Sequence, residues 1–352
     1  MLWNIIDMPC PPVFPFFGFL FFVFTIALQS IAGDIFIPPS EIQIYSNTED
    51  MGKTSFDWVI LALKSTAMPH IPTLLKPLLH NQTRVLAIMN GLIDYDLVES
   101  LRSISTSKDL PCAAIYGGMA FIGCNRLSPG HVDHTDQGAL SAGLAASAAS
   151  NKPYQGVVHD MEALADLWRP TKVKFMEETY LIRGRWIKNC WNLPFNSISC
   201  AMGGILTIDT IVKDPSLRKL ADDIMDETIA IANADLASRG IDPSLYLDDT
   251  VVRKNLLSGL SQINFFFFLF ISLPIHLPLC IFLKKKRMWD ITDAMGPYKT
   301  STMLDLINRR PMEVKYLFRK PLEIAESLQI KAPKLEALTA QIESLQRHYN
   351  LF

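Results

Sequence analysis

A lysine and two asparagines recur at intervals of four residues inside an apolar segment that runs from Trp186 to Asn196. They are Lys188, Asn192 and Asn196. Because residues four apart lie on one face of a helix, these side chains would form a polar stripe. An ammonium group beside a carbonyl can stabilise negative charge on its oxygen and supply a proton, and amides can donate and accept hydrogen bonds. The polar stripe is therefore a candidate site for acid-assisted chemistry.

A second set of polar residues follows in the last third of the chain. Ser301 is followed by Asp305 after four residues and by Glu313 after eight more. Carboxylates near Lys188 would hold its amine charged while leaving it able to exchange a proton. Taken singly, Ser301 and Asp305 also fit a helix cap followed by a surface acid, and Lys188 fits a lysine whose stem lies along a helix surface.

Buried strands are indicated upstream of both sets. Trp58–Leu63 and Arg84–Met89 are continuous apolar runs, which are typical of strands covered on both faces. A helix is predicted over 69–80, and a third strand over Cys112–Tyr116 that closes at Gly117-Gly118. This alternation predicts the latter half of a doubly wound sheet, whose ligands lie beyond the carboxyl ends of the strands.

Two polar residues stand at those strand ends. Lys64 follows the first apolar run and Asn90 the second, so both are expected at the rim of the sheet where a cofactor would lie. A solvated lysine and an ordinary Asn-Gly turn are the alternative interpretations. Beyond residue 170 the apolar spacing becomes helical, which predicts a mainly α second domain with helices over 176–200, 215–238, 288–308 and 319–348.

In combination, these motifs resemble the ketopantoate reductase (2-dehydropantoate 2-reductase) family over about 57–263 and 288–350. The resemblance implies an α/β, Rossmann-like N-terminal domain and an all-α C-terminal domain of the 6-phosphogluconate dehydrogenase type. It implies NADPH-dependent reduction of a small 2-oxo acid, 2-dehydropantoate, to pantoate on the route to pantothenate and coenzyme A, and it allows a homodimer. The implied catalytic residues are Lys188, as general acid, and Glu313; the implied substrate-binding residues are Asn192, Asn196, Ser301 and Asp305; the implied cofactor-binding residues are Lys64 and Asn90.

The chain departs from the family at its beginning. No GxGxxG turn is present, and Gly18, Gly33 and Gly52 stand alone. The Rossmann-like domain, assigned to 33–168, is therefore expected to be truncated at its first βαβ unit, with the cofactor's main phosphate cradle missing. The helical domain is assigned to 169–352. Pro194 is a second departure, and it is expected to kink the helix of the polar stripe.

Two apolar segments interrupt the globular pattern. Residues 10–32, within an apolar segment assigned to 1–32, and residues 265–283 each approach the length of a membrane span, and the first also resembles a signal peptide. The second contains Pro274, His276 and Pro278, which suit a bilayer core poorly. The preferred hypothesis is that 264–287 is a translated intron and about 1–30 a wrong first exon. The alternatives are a membrane-anchored reductase of another 2-oxo acid, and a non-catalytic family member or mispredicted product without cofactor binding.

Composition limits the remaining classes of function. The net charge of −2 gives no electrostatic case for nucleic acid. The six cysteines form no CxxC pair, which favours a reducing compartment and a cytoplasmic location unless the apolar segments are genuine spans. His131 and His134 could form half of a metal site, but no Cys, His or Glu elsewhere in the sequence stands at a matching ligand spacing, so a solvated loop is the preferred interpretation.

Overall fold

The computed structural model of the chain describes residues 26–30, 33–41, 43, 45, 47–51, 55–106, 109–128, 130–148, 154–248 and 287–352. The predicted insert at 264–287, apart from its last residue, and the apolar segment at 1–32, apart from 26–30, lie outside this part. In the described residues, no helix is both long enough and apolar enough to cross a membrane.

The N-terminal part forms one mixed sheet. Its strands are β1 (Ile26–Ser30), β2 (Ile35–Ile37), β3 (Trp58–Leu61), β4 (Arg84–Ile88), β5 (Ala114–Ser128), β6 (His131–Ser147) and β7 (Lys174–Glu177). The order across the sheet is β2-β1-β6-β5-β4-β3, and β7 also pairs with β6. The pairs β3/β4 and β4/β5 are parallel, whereas β5 and β6 form a long antiparallel hairpin. The carboxyl ends of β3 and β4 therefore meet at one edge of the sheet, as the sequence predicted.

Three local predictions about the N-terminal part of the chain were wrong. Strand β5 does not close at Gly117-Gly118, because its pairing with β6 carries it on to Ser128. His131–His134 is not a loop but the start of β6, where His134 is buried. The predicted helix over 69–80 is shorter: a 3₁₀ turn at Ser65–His70 leads into helix α1 (Ile71–Leu75), and Pro77 follows two residues after its end.

The first described strands do not complete a Rossmann order. Strand β1 pairs with β6, far from β3, and among the described strands β3 has β4 as its one neighbour. In a complete doubly wound sheet of order 3-2-1-4-5-6, strand 1 lies between strands 2 and 4. If β3 corresponds to strand 4 of that order, strand 1 would pair with the edge of β3 that faces away from β4. Among the described residues β3 is thus an edge strand, and the truncation of the first βαβ unit stays a prediction.

Helices build the rest of the molecule. They are α2 (Asp94–Arg102) and α3 (Val157–Trp168) against the sheet, then α4 (Leu181–Ala201), α5 (Ile208–Lys213), α6 (Pro215–Ser238), α7 (Arg287–Ala294), α8 (Ser301–Ile307), α9 (Lys320–Ser327) and α10 (Pro333–His348). Strand β7 lies inside the range assigned to the helical domain, and the first helix of that domain starts at Leu181 rather than at residue 176. The sequence-based fold class, an α/β sheet domain followed by a helical domain, is confirmed.

The predicted C-terminal helices are divided by residues that break helices. The stretch 288–308 is two helices, α7 and α8, with Gly296-Pro297 between them. The stretch 319–348 is likewise split into α9 and α10, and Pro333 starts the second. Pro194, in contrast, does not end α4, which continues through it to Ala201 with buried residues on both sides of the proline; the kink expected at Pro194 stays a prediction.

Candidate active site

A cavity of about 300 Å³ lies where the carboxyl ends of β3 and β4 face the helical domain. Its sheet side is formed by Leu63, Lys64, Ile88, Met89, Asn90 and the β5 residues from Ala120 to Cys124; its helical side is formed by Lys188, Trp191, Asn192, Asn196, Met295, Tyr298, Ser301 and Glu313. The structure thus brings seven of the eight predicted site residues to one cavity. Asp305 lies behind its wall.

Lys188 points from α4 toward β5. Its Nζ donates a hydrogen bond to the carbonyl oxygen of Ala120 at 2.7 Å and lies 5.5 Å from the centre of the Phe121 ring. Burial and the nearby Arg185 guanidinium lower the pKa of Lys188 to about 7, although the Glu313 carboxylate opposes them. An amine with such a pKa can both hold and release a proton near neutral pH.

The two amides of the polar stripe have different surroundings. Asn196 Nδ2 donates to the carbonyl oxygen of Asn192 at 2.9 Å, and Asn196 Oδ1 accepts a hydrogen bond from the Thr302 backbone N–H at 3.3 Å. Asn196 therefore holds the start of α8 against α4. Asn192 lies one turn closer to Lys188 and lines the cavity.

Ser301 is presented by a capped helix start. Thr300 caps α8, because its hydroxyl accepts from the Met303 backbone N–H at 3.4 Å. That hydroxyl also lies 2.8 Å from Ser199 Oγ on α4. The Ser301 side chain, the first of the helix, is exposed toward the cavity.

The two carboxylates tie the helical domain to the end of β3. Glu313 lines the cavity, and its Oε1 accepts a hydrogen bond from the Ser65 backbone N–H at 2.8 Å. Asp305 is buried and forms an ion pair with Lys64 through Oδ1. Burial raises the pKa of Asp305, although the Lys64 ammonium acts in the opposite direction. Lys64 is thus engaged by Asp305 in this conformation, and the side chain of Lys64 is still 37% exposed.

Asn90 is held by the turn that follows β4. Gly91 has φ +80°, and a Cβ there would lie 2.5 Å from the carbonyl oxygen of Tyr316, so glycine is required by both conformation and space. The Leu92 N–H donates to that same carbonyl at 3.0 Å. Tyr316 belongs to a π-helical turn, Lys315–Arg319, which therefore anchors the Asn90 turn.

Sequence reasoning missed a partly buried ion pair beside the cavity and the aromatic part of the cavity wall. Arg185 and Asp94 form the pair, with Nη2 of the arginine 2.8 Å from Oδ1 of the aspartate. The aromatic wall consists of Phe121, Trp191 and Tyr298. One signal was present for Arg185, which precedes Lys188 by three residues and so lies on the same side of α4. Asp94 is 91 positions away in sequence, and no local pattern connects it to the arginine.

The residues at the sheet side of the cavity fit part of a dinucleotide. The ammonium of Lys64 and the amide of Asn90 stand beside the apolar side chains of Leu63 and Met89 at strand ends, where a nicotinamide ring and its ribose would be received. Within the described ranges there is no glycine-rich turn at a helix start that could hold a pyrophosphate. No group of three or more His, Cys, Asp or Glu side chains that could hold a metal ion occurs in those ranges either.

Parallel strands whose carboxyl ends face a helical domain, with a lysine and a carboxylate in the cleft, are typical of two-domain oxidoreductases that bind a nicotinamide cofactor at the sheet. Comparison with known proteins identifies the family. The profile described as "Ketopantoate reductase PanE/ApbA" matches residues 28–147, and "Ketopantoate reductase PanE/ApbA C terminal" matches residues 181–346. The chain belongs to the ketopantoate reductase family, whose enzymes are oxidoreductases that use NADH or NADPH.

Individual relatives agree with this assignment. The 2-dehydropantoate 2-reductase of Nostoc sp. (strain PCC 7120) is 26% identical over 319 residues, which cover 90% of this chain and 82% of the relative. The crystal structure of 2-dehydropantoate 2-reductase from Geobacter metallireducens GS-15 is 27% identical, with a TM-score of 0.67, and the match covers 91% of this chain and 86% of that one. A D-mandelate dehydrogenase solved with NADH and anilino(oxo)acetate shares the fold at 16% identity and a TM-score of 0.65, over 93% of this chain and 86% of that chain.

Proposed function

We propose that the chain reduces 2-dehydropantoate to pantoate with NADPH as the hydride donor and Lys188 as the general acid. The observation that supports this most directly is the position of Lys188, an amine whose pKa is lowered to about 7 and which faces a cavity shared with Asn90, Ser301 and Glu313. A ketone that accepts a hydride develops negative charge on oxygen, and an adjacent ammonium both stabilises that charge and supplies the proton.

Each proposed role follows from the contacts of the residue. The Lys188 ammonium has three N–H donors, and its bond to Ala120 leaves the others for the carbonyl oxygen of a substrate. Glu313 is fixed by Ser65, and its carboxylate raises the pKa of Lys188, which favours the protonated amine. Ser301 and Asn192 supply polar contacts for the carboxylate and hydroxyl of the substrate, while Asn196 fixes α8 and Asp305 holds Lys64.

The cofactor is proposed to lie along the sheet side of the cavity. Lys64 and Asn90 would contact it there, between the strand ends and the substrate. When bound, NADPH supplies the hydride. The residues of the chain orient the two reactants and exclude water with the aromatic wall of Phe121, Trp191 and Tyr298. A homodimer, the cytoplasmic location and the domain limits stay predictions from the sequence.

The test is substitution of the acid. Lys188→Ala should lower kcat for NADPH-dependent reduction of 2-dehydropantoate by at least about a hundredfold, as expected for the loss of a general acid. Oxidation of NADPH is followed by absorbance. Lys213→Ala is the control, because the Lys213 side chain is 75% exposed and pairs with Asp209 on its own helix.

Two outcomes would count against the proposal. Near-normal turnover in Lys188→Ala would remove Lys188 as the acid. If the unchanged protein neither turns over nor quenches NADPH fluorescence on titration, the non-catalytic alternative takes its place.

A further inference from the structure

Arg185 is a buried arginine that makes contacts with three separate segments of the sheet domain. Its side chain is 2% exposed. Nε donates to Asp94 Oδ2 at 2.9 Å and Nη2 donates to Asp94 Oδ1 at 2.8 Å, so the two side chains form a bidentate pair. Nη1 donates to the carbonyl oxygens of Gly118, at 3.2 Å, and of Met89. One guanidinium therefore joins α4 to α2, β5 and the end of β4.

These contacts are adjacent to the residues of the cavity. Met89 immediately precedes Asn90, and Gly118 lies two residues before Ala120, whose carbonyl accepts the hydrogen bond of Lys188. The space for the pair is provided by Gly117, where a Cβ would lie 2.6 Å from Asp94 Oδ1 and 2.7 Å from Arg185 Nη2. Strand β5 therefore lies against the ion pair at Gly117 and accepts the hydrogen bond of Lys188 at Ala120, three residues later.

Arg185 also places a positive charge near the Lys188 amine. The two residues are three apart on α4, where side chains are neighbours. The positive charge of Arg185 adds to burial in lowering the pKa of Lys188, and Glu313 acts in the opposite direction.

We propose that Arg185, held by Asp94, is a positioning residue for Lys188: it fixes the depth of α4 against β4 and β5 and presents a constant positive charge to the Lys188 amine. Its effect on turnover rests on the proposed function of Lys188. Its effect on the amine itself does not, because the amine can be titrated without substrate or cofactor. The competing explanation is an ion pair that only stabilises the fold.

The experiment titrates Lys188 directly in the full chain. Trace acetylation with acetic anhydride across the pH range, followed by mass spectrometry of the peptide that contains Lys188, reports the midpoint of its deprotonation. The unchanged protein should titrate near pH 7. Arg185→Met should raise the midpoint by about one pH unit or more, since the like charge that helps to lower the pKa of Lys188 is removed.

Two further variants separate charge from structure. Asp94→Asn breaks the same ion pair but leaves the guanidinium, so the midpoint should stay at or below that of the unchanged protein. Arg185→Lys keeps a charge but loses the bidentate geometry, so the midpoint should move by less than about half a unit while kcat falls about tenfold with little change in KM. Arg183→Met is the matched control, since Arg183 lies on the same helix and donates from Nε to the carbonyl of Leu245 at 2.9 Å.

The outcomes decide between the two explanations. A midpoint unchanged in Arg185→Met, or raised equally in Arg185→Met and Asp94→Asn, would mean that the pair is merely structural. If Arg185→Met fails to fold, as judged by circular dichroism, Asp94→Asn and Arg185→Lys still decide: a midpoint near that of an ordinary lysine in either would overturn the proposal. If the labelling results hold but no 2-dehydropantoate is reduced, the proposed function fails and the role of Arg185 toward Lys188 stands.

Discussion

Glu313→Gln separates the charge of Glu313 from its hydrogen bond. The carboxylate accepts from the Ser65 backbone N–H at 2.8 Å, and the carbonyl oxygen of a glutamine can accept the same bond. The substitution removes the negative charge that raises the pKa of Lys188, while burial and Arg185 continue to lower it. We therefore expect the pKa of Lys188 to fall further in this variant.

The size of the effect can be worked out from that pKa. The acid must be protonated, so reduction is fastest below the pKa of Lys188 and is lost as the pH rises through it. If the pKa falls from about 7 to about 6, as is usual for the loss of one nearby opposite charge, the protonated fraction near pH 7.5 drops by about eightfold. Near pH 5.5, both proteins keep most of their lysine protonated, and the ratio falls to about 1.3.

The assay is the pH dependence of kcat/KM for the reduction, measured at constant ionic strength because exposed charges are screened by salt. Lost contacts between Glu313 and the substrate would lower the rate equally at every pH. The activity of the variant relative to the unchanged protein is therefore compared at about pH 7.5 and at about pH 5.5, and the difference between these two relative activities isolates the effect of charge. Glu323→Gln, at an exposed surface pair with Lys320, is the control. A variant whose activity relative to the unchanged protein is the same at both pH values, or whose basic limb moves to higher pH, would refute the reasoning.

Two other predictions concern the junction of the domains. Lys64→Met leaves the buried Asp305 carboxylate without its ion-pair partner and should lower the free energy of unfolding by about 1–2 kcal/mol, a value reduced because Lys64 is partly exposed. Urea denaturation measures the loss, and an unchanged free energy of unfolding would mean that the pair is not formed in solution. Gly117→Ala should cost about 1–3 kcal/mol, because a Cβ there would lie 2.6–2.7 Å from Asp94, Leu181 and Arg185, two of which are held in an ion pair. Gly118→Ala, whose nearest contacts lie at 3.1 Å or more, should lower Tm less; equal losses would contradict the close approach at Gly117.

The local parts of the site could be predicted from the sequence. Lys188, Asn192 and Asn196 face one cavity because helical spacing places every fourth residue on one side, and α4 continues through Pro194. Lys64 and Asn90 follow apolar runs, and parallel pairing brings the ends of those runs together. These features depend on periodicity and strand direction, which a sequence expresses within a few residues.

The parts that depend on pairing between distant segments could not be predicted in this way. The length of β5 is set by its pairing with β6, whereas Gly117-Gly118 taken locally indicates the end of a strand. Lys64 and Asp305 are 241 positions apart, and the ammonium was expected to serve the cofactor alone. The breaks in the last helices differ from these cases, because Pro297 and Pro333 were visible signals that favoured shorter elements.

Hydrogen bonds and ion pairs between the two domains explain why so much of the site lies at their junction. Arg185 with Asp94, Lys188 with Ala120, Ser65 with Glu313, and Lys64 with Asp305 each join the sheet to the helical part. A buried ion pair adds little net stability compared with apolar packing, so stability alone does not account for the pair between Arg185 and Asp94. The geometry of the pair accounts for it, because a planar guanidinium with two parallel hydrogen bonds permits a single orientation, whereas apolar surfaces can slide past each other. A general acid that must lie within hydrogen-bond reach of a carbonyl oxygen needs that restriction, and the helix of Lys188 receives it one turn before the lysine.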